Sequence, residues 1–186
     1  MTVPRRFVGA WQREHLEIDG SAVARIGRAV WIEAGGMYVD VRGPGRVASE
    51  TSFGGRSTWR SPRFTWHHDI DLGPGAAGLD RGELTLDGDR IVERGVGLTA
   101  DGVPYVEHWR RLPNRTAVTA VARHEHGLAV RVGDYAAAVC TETQSARLWR
   151  CAEESWSEWI ALGSPGTLPQ PSDTGLWLPR GWALTI

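Results

Sequence analysis

The chain contains no lysine, only two cysteines and no apolar run long enough to cross a bilayer. All 21 of its basic residues are therefore arginine, which we interpret as a coding bias and not as a physical requirement. Two thiols, Cys140 and Cys151, are too few for a disulfide framework or a zinc site, so we expect both to be reduced. Without a membrane span or the apolar core of a signal peptide, the sequence predicts a soluble, cytoplasmic protein with no membrane partner.

An excess of either charge is also missing, because the formal net charge is -1 and the isoelectric point is near 6.6. This balance gives no electrostatic support for a nucleic-acid partner, and we predict none. A length of 186 residues fits one domain spanning 1–186, working as a monomer or homodimer. Glycine and tryptophan are abundant, with 23 and 10 copies, and this combination favours short strands joined by tight turns.

Turn signals recur about every ten residues along the chain. The stretch Ala29–Arg42 reads as two strands or as one strand bent at Gly35-Gly36. Asp87-Gly88 is a hairpin signal, and His126-Gly127 is a further turn. Short connections between many strands are typical of an up-and-down barrel. We therefore predict an all-β protein with a single antiparallel, lipocalin-like barrel of about 8–10 strands, and a C-terminal segment packed against it.

One segment is ambiguous between helix and strand. Within 144–159, Leu148, Ala152, Trp156 and Trp159 follow helical spacing and would line one face of a short helix. Alternatively, the residues from Leu148 onward close the sheet as a last strand. The sequence leaves both alternatives open.

The stretch Phe64–Leu72 reads as a strand whose side chains alternate between two faces. His68 then shares an apolar face with Trp66, while His67, Asp69 and Asp71 occupy the other face. We expect His68 to face the barrel cavity, where burial tunes an imidazole for acid–base work. The opposite face offers oxygen and nitrogen ligands for a cation, but nothing else fixes such a site, and we predict no metal.

Two strands carry polar rows whose orientation the sequence does not decide, because both faces of each strand mix apolar and charged residues. The rows are Tyr38, Asp40 and Arg42 on the first strand, and Tyr105, Glu107, Trp109 and Arg111 on the second. If the polar rows point inward, they form a charged, aromatic-lined pocket for a ligand. If they point outward, Val39 and Val41 line the cavity instead.

Gly9-Ala10-Trp11 on the first strand resembles the Gly-x-Trp signature of the calycin superfamily, which includes the lipocalins. In that family the ring closes the base of the barrel and a late arginine stacks over it, a role for which Arg147 and Arg150 are candidates here. Five further blocks, up to about Leu112, resemble the Hri1-type lipocalin-like proteins: Val30–Ile32, Tyr38–Arg42, Thr65–Asp71, Val92–Gly95 and Tyr105–Arg111. The resemblance implies a calycin-like barrel and carries no catalytic residues.

We predict a protein that acts on a small, mostly apolar molecule held in the barrel. The main hypothesis is a cofactor-independent enzyme of the isomerase, cyclase, lyase or hydratase type, since such reactions need one tuned acid–base pair in a dry cavity. The candidate catalytic residues are His68, Glu107 and Tyr38. The candidate substrate-binding residues are Trp31, Glu33, Asp40, Arg42, Trp66, Glu93, Tyr105, Trp109 and Arg111. The alternative is a non-catalytic carrier of a hydrophobic ligand, and a haem protein with a histidine ligand is a third.

Overall fold

The computed structural model describes residues 2–44, 51–73, 79–96, 102–164 and 168–185, which form three antiparallel sheets and one short 3-10 helix, Arg5–Phe7. The first sheet contains β1 (Gly9–Ile18), β2 (Ser21–Ala22), β3 (Ala29–Glu33), β4 (Met37–Arg42), β5 (Phe53–Arg60), β6 (Arg63–His67), β7 (Ile70–Asp71), β8 (Leu79–Asp87), β9 (Arg90–Val96) and β10 (Pro104–Arg111). The second contains β11 (Thr119–His124), β12 (Gly127–Val132), β13 (Tyr135–Cys140), β14 (Ser145–Ala152), β15 (Ser155–Leu162) and β18 (Ala183–Thr185). The hairpin β16 (Gln170–Ser172) and β17 (Gly175–Trp177) is the third.

The first sheet closes on itself as a barrel. Its strands follow the order β10-β9-β8-β6-β5-β4-β3-β1, and β1 pairs again with β10, so that Trp11 lies opposite Arg111. The two-residue strands β2 and β7 pair with β1 and β5 outside this ring. The predicted all-β antiparallel architecture is thus confirmed as a closed eight-stranded barrel, which is compatible with a lipocalin-like fold.

The predicted turns lie where the glycines allow them. Residues 34–36 connect β3 to β4, and Gly35 and Gly36 have φ values of +82° and +129°, a region open to glycine. The two residues Gly88 and Asp89 join β8 to β9. Each hairpin brings consecutive strands side by side, which is the basis of the up-and-down order.

The segment 144–159 forms strands β14 and β15, so the helical alternative is wrong. The turn between them consists of Glu153 and Glu154, both with positive φ, 51° and 64°. Two-residue hairpins of this kind usually carry Asn or Gly, and two glutamates give no such signal in the sequence. The helical spacing joined residues of two different strands, because Leu148 and Ala152 lie on β14 and Trp156 and Trp159 lie on β15.

The second sheet covers one side of the barrel. Outward-facing valines of the barrel, including Val30, Val39 and Val41, pack against Leu128, Val130 and other residues of β12–β14 in one apolar core. The opposite face of this sheet forms another core with the C-terminal segment, in which Leu168 and Trp182 are buried. The expected C-terminal cover of the barrel is thus the second sheet itself, and the last segment of the chain packs on the far face of that sheet and not on the barrel. No helix in the described ranges is long and apolar enough to span a bilayer.

Candidate active site in the barrel interior

Strand β4 directs its polar row into the barrel. Asp40 and Arg42 line an interior cavity, and Tyr38 packs among the aromatic residues of the barrel core. Val39 and Val41 point the other way and are buried against the second sheet. The outer face of β4 is thus a buried interface, so the apolar residues belong outside and the polar ones inside.

Strands β9 and β10 add a second set of polar side chains to the interior. Glu93, Tyr105, Glu107 and Trp109 are each at most 3% exposed. Residues between them, such as Val106, lie on the outer face and are partly exposed. Because side chains alternate between the two faces of a strand, the carboxyl groups of Glu93 and Glu107 and the hydroxyl of Tyr105 face the interior, close to Asp40 and Arg42.

Four charged side chains form a buried ion-pair network across the barrel. An Nη of Arg13 lies 2.6 Å from Glu107 Oε1, and both side chains are almost fully buried. Arg42 donates to Asp40 Oδ2 at 2.9 Å and 3.2 Å and also lies 3.9 Å from Glu107. Two cations and two anions therefore offset each other where neither could be buried alone. Arg13 was not among the predicted residues, although its position two residues after Trp11 places it on the same face of β1.

Glu93 is the centre of a second hydrogen-bonded group. Its carboxyl oxygens contact the Tyr105 hydroxyl at 2.7 Å and Trp109 Nε1 at 3.0 Å, and the Tyr105 hydroxyl is also 3.2 Å from Asp80 Oδ1. Burial and the nearby charge of Glu107 raise the pKa of Glu93 well above its usual value. Burial also raises the pKa of Glu107, but Arg42 and Arg13 act in the opposite direction. Glu107 therefore has two arginines beside it, whereas the hydrogen bonds of Glu93 come from the neutral side chains of Tyr105 and Trp109.

The interior cavity between these groups is small. Its volume is about 10 Å³, close to the space of one water molecule. Asp40 Oδ1 is buried and has no hydrogen-bond partner among the described residues. The lining residues are Trp31, Asp40, Arg42, Phe53, Trp66, Asp80, Glu93 and Trp109. Eight side chains thus surround a site with one unsatisfied acceptor. Phe53 and Asp80 were not predicted, because the strand patterns in the sequence around them are weak, although the structure places them on β5 and β8.

His68 occupies a different place from the one predicted. Phe64–Leu72 is not one strand, because β6 ends at His67 and the chain resumes pairing only at Ile70, on β5 instead of β8. The break cancels the alternation, so His68 does not line the cavity. Its ring stacks on Phe53 with centroids 3.9 Å apart, and Nδ1 lies 2.7 Å from Asp71 Oδ2. His68 therefore contacts Phe53, a cavity-lining residue, from outside the cavity. Its partner is Asp71, which had been assigned to the opposite face of the strand.

The acidic row beside His68 does not converge on a cation site. Asp69 forms ion pairs with Arg56 and Arg123, both at 3.1 Å, while Asp71 binds His68. The break after His67 sends the two carboxylates to different partners. In the described part of the chain, no group of three His, Cys, Asp or Glu side chains is arranged to hold a metal ion.

Glu33 and Tyr38 are buried outside the cavity lining. Glu33 accepts hydrogen bonds from Ser57 Oγ at 2.7 Å and from Gly36 N at 2.6 Å, and burial raises its pKa to about 7. The Tyr38 hydroxyl lies 3.3 Å from the His67 carbonyl, and burial raises its pKa well above the usual value. Neither residue lines the cavity. Both instead form hydrogen bonds that connect the strands and turns around it.

Arg111 stacks on Trp11 across the pair of strands β1 and β10. Its guanidinium lies 4.0 Å from the centre of the Trp11 ring and donates to the Val8 carbonyl at 2.7 Å. This is the arrangement that the Gly-x-Trp resemblance implies, but the arginine comes from β10. Arg147 and Arg150 belong to β14 of the second sheet, so their assignment to this role is wrong. Arg111 is not among the residues that line the cavity.

Comparison with known proteins gives no assignment. No model of a known family matches the chain, and neither a curated protein nor a solved structure is significantly similar to it. Function must therefore be inferred from the geometry of the interior.

Proposed function

We propose that the chain is a Hri1-type lipocalin-like barrel that acts on a small molecule, as a cofactor-independent enzyme performing acid–base chemistry in the barrel. The reaction is of the isomerase, cyclase, lyase or hydratase type, because each of these needs only a proton donor and a proton acceptor. Glu93 is the donor, and Asp40 is the acceptor. His68 acts from outside the cavity through Phe53, as a positioning residue.

The observation that carries this proposal is the contact of one hydroxyl with two carboxyl groups. The Tyr105 phenol has a single proton, yet its oxygen lies 2.7 Å from Glu93 and 3.2 Å from Asp80. If Tyr105 donates to Asp80, the shorter contact needs a proton on Glu93. A neutral carboxyl then stands beside Asp40 and Glu107, each of which is paired with an arginine. Carboxyl groups held in opposite protonation states around one cavity are the usual basis of acid–base division of labour.

The cavity also limits the substrate. A volume of about 10 Å³ admits only one small polar group, so a larger substrate enters when an aromatic wall residue such as Phe53 or Trp66 turns aside. Asp40 Oδ1 lacks a donor and contacts an N–H, O–H or acidic C–H of the substrate. The indole rings of Trp31 and Trp109 flank the apolar remainder. The substrate is thus mostly apolar, with one polar reacting end.

The test begins with native mass spectrometry of the purified protein, to identify a ligand that co-purifies. Turnover of that ligand is then compared between the natural protein and Glu93→Gln, which keeps the shape and the contacts to Tyr105 and Trp109. We expect a fall in kcat of about 10²- to 10⁴-fold, the usual contribution of a general acid. Unchanged turnover overturns the role of Glu93, and binding without any conversion identifies a carrier.

A measurement without a ligand checks the same assignment. In carboxyl-carbon NMR, Glu93 keeps the chemical shift of a protonated acid at pH 7 and loses it only at higher pH. In the turnover assay, Glu125→Gln is the matched control, because Glu125 is exposed and lies outside the cavity lining, and this variant leaves turnover unchanged. A Glu93 carboxyl that is ionised at pH 7 contradicts the proposal.

A further inference from the structure

The outer face of the barrel that the second sheet leaves uncovered carries a group of arginines. Arg60, Arg63, Arg81 and Arg94, here called the arginine patch, are all exposed on adjacent strands β5, β6, β8 and β9. None of them forms an ion pair or a side-chain hydrogen bond within the described ranges of the chain. The patch stands out in a protein whose net charge is -1.

The strand register concentrates these charges instead of dispersing them. Arg60 lies directly opposite Arg63 in the β5–β6 hairpin. Like charges in directly opposed positions are destabilising, so the pair is costly unless an anion neutralises it. Glu83 lies opposite both Arg63 and Arg94, yet it forms an ion pair with neither. The guanidinium groups thus remain available to a ligand.

Two adjoining grooves run across the patch. One has a volume of about 410 Å³ and the other about 490 Å³, and both are lined by Arg63 and Arg81. The first groove adds the hydroxyls of Thr58 and Thr65, which face each other across β5 and β6. Trp59 forms its rim. Guanidinium and hydroxyl donors in one concave site, with an aromatic edge, match the oxygen atoms of a phosphate group.

We propose that the arginine patch is a binding site for a small phosphate-bearing ligand, with Arg60, Arg63 and Arg81 contacting the phosphate oxygens and Arg94 extending the site along the second groove. Such a ligand supplies the anion that cross-strand Arg60 and Arg63 lack. The site lies outside the barrel and is independent of the acid–base chemistry proposed for the interior. Because its groups are exposed, binding weakens as salt rises.

Calorimetric titration with pyrophosphate, in about 50 mM salt, tests the proposal. The natural protein binds one pyrophosphate, and the double variant Arg63→Gln/Arg81→Gln binds at least tenfold more weakly. Arg90→Gln is the matched control, because Arg90 is an exposed arginine of β9 that lines neither groove. Its affinity stays within twofold of the natural protein.

A parallel titration with a short single-stranded oligonucleotide separates the sources of phosphate. Tight binding of the oligonucleotide without binding of pyrophosphate overturns the small-ligand proposal and identifies a nucleic-acid surface. Absence of pyrophosphate binding, or equal binding by the double variant, also overturns it. Equal losses in Arg90→Gln and in the double variant show general charge attraction and not a site.

Discussion

Replacing Arg13 by methionine tests the ion-pair network of the barrel directly. The substitution keeps an unbranched chain but removes the partner that lies 2.6 Å from Glu107, where both side chains are at most 1% exposed. Breaking a buried pair in this way costs about 3–5 kcal/mol, because a charge remains buried without compensation. Arg42 still lies 3.9 Å from the same oxygen, so we expect the lower limit, about 3 kcal/mol. For a chain of this size the melting temperature should fall by roughly 6–12 °C.

Urea unfolding of the natural protein and of Arg13→Met at pH 5 and pH 8 measures this loss. Without Arg13, the pKa of Glu107 rises further in the folded state, so the variant loses more stability at pH 8 than at pH 5. The control Arg13→Met/Glu107→Leu removes both charges and should recover part of the loss, since a neutral pair needs no compensation. A loss below about 1 kcal/mol, or a double variant less stable than the single one, refutes the network as described.

Two further substitutions test the surroundings of the site. The pKa of Glu33, about 7 in the folded protein against 4.5 ordinarily, makes the free energy of unfolding fall by about 3 kcal/mol as pH rises from about 4.5 to 7. In Glu33→Gln this part of the pH dependence should vanish, and an unchanged unfolding profile contradicts the assignment. At Gly95 an added Cβ would lie 2.5 Å from the Tyr105 ring. Gly95→Ala should therefore destabilise the barrel by about 1–3 kcal/mol, and a neutral effect on the melting temperature shows that Tyr105 is not held there.

The barrel could be predicted from the sequence because turns and alternation are local signals. Gly35-Gly36 and Asp87-Gly88 mark hairpins through backbone conformations that glycine favours. The separate second sheet could not be predicted in the same way. Whether a second sheet is needed depends on which face of β4 points out of the barrel. A strand with Val39 and Val41 on one side and charged residues on the other is compatible with either orientation.

The interior network was predicted only in part, and for a related reason. Asp40, Arg42, Glu93 and Glu107 were candidates because they lie on strands, but their pairing depends on register across the barrel. His68 was misplaced because it lies in the two-residue break between β6 and β7, where the alternation of a continuous strand does not apply. Alternation locates a side chain only as far as the strand is continuous.

The charges and the hydrogen bonds of the interior both favour a proton on one of its carboxyl groups. Arg13 and Arg42 supply two positive charges, and Asp40 with Glu107 supplies two negative ones, so an ionised Glu93 would leave an excess anion in a nearly dry barrel. The single proton of the Tyr105 hydroxyl cannot satisfy two carboxylates, which requires a proton on either Glu93 or Asp80. One argument depends on desolvation and the other only on donor count. Desolvation then favours Glu93, the more deeply buried of the two, as the site of the proposed proton, and that proton can leave only when another group, or a substrate, takes its place in the balance.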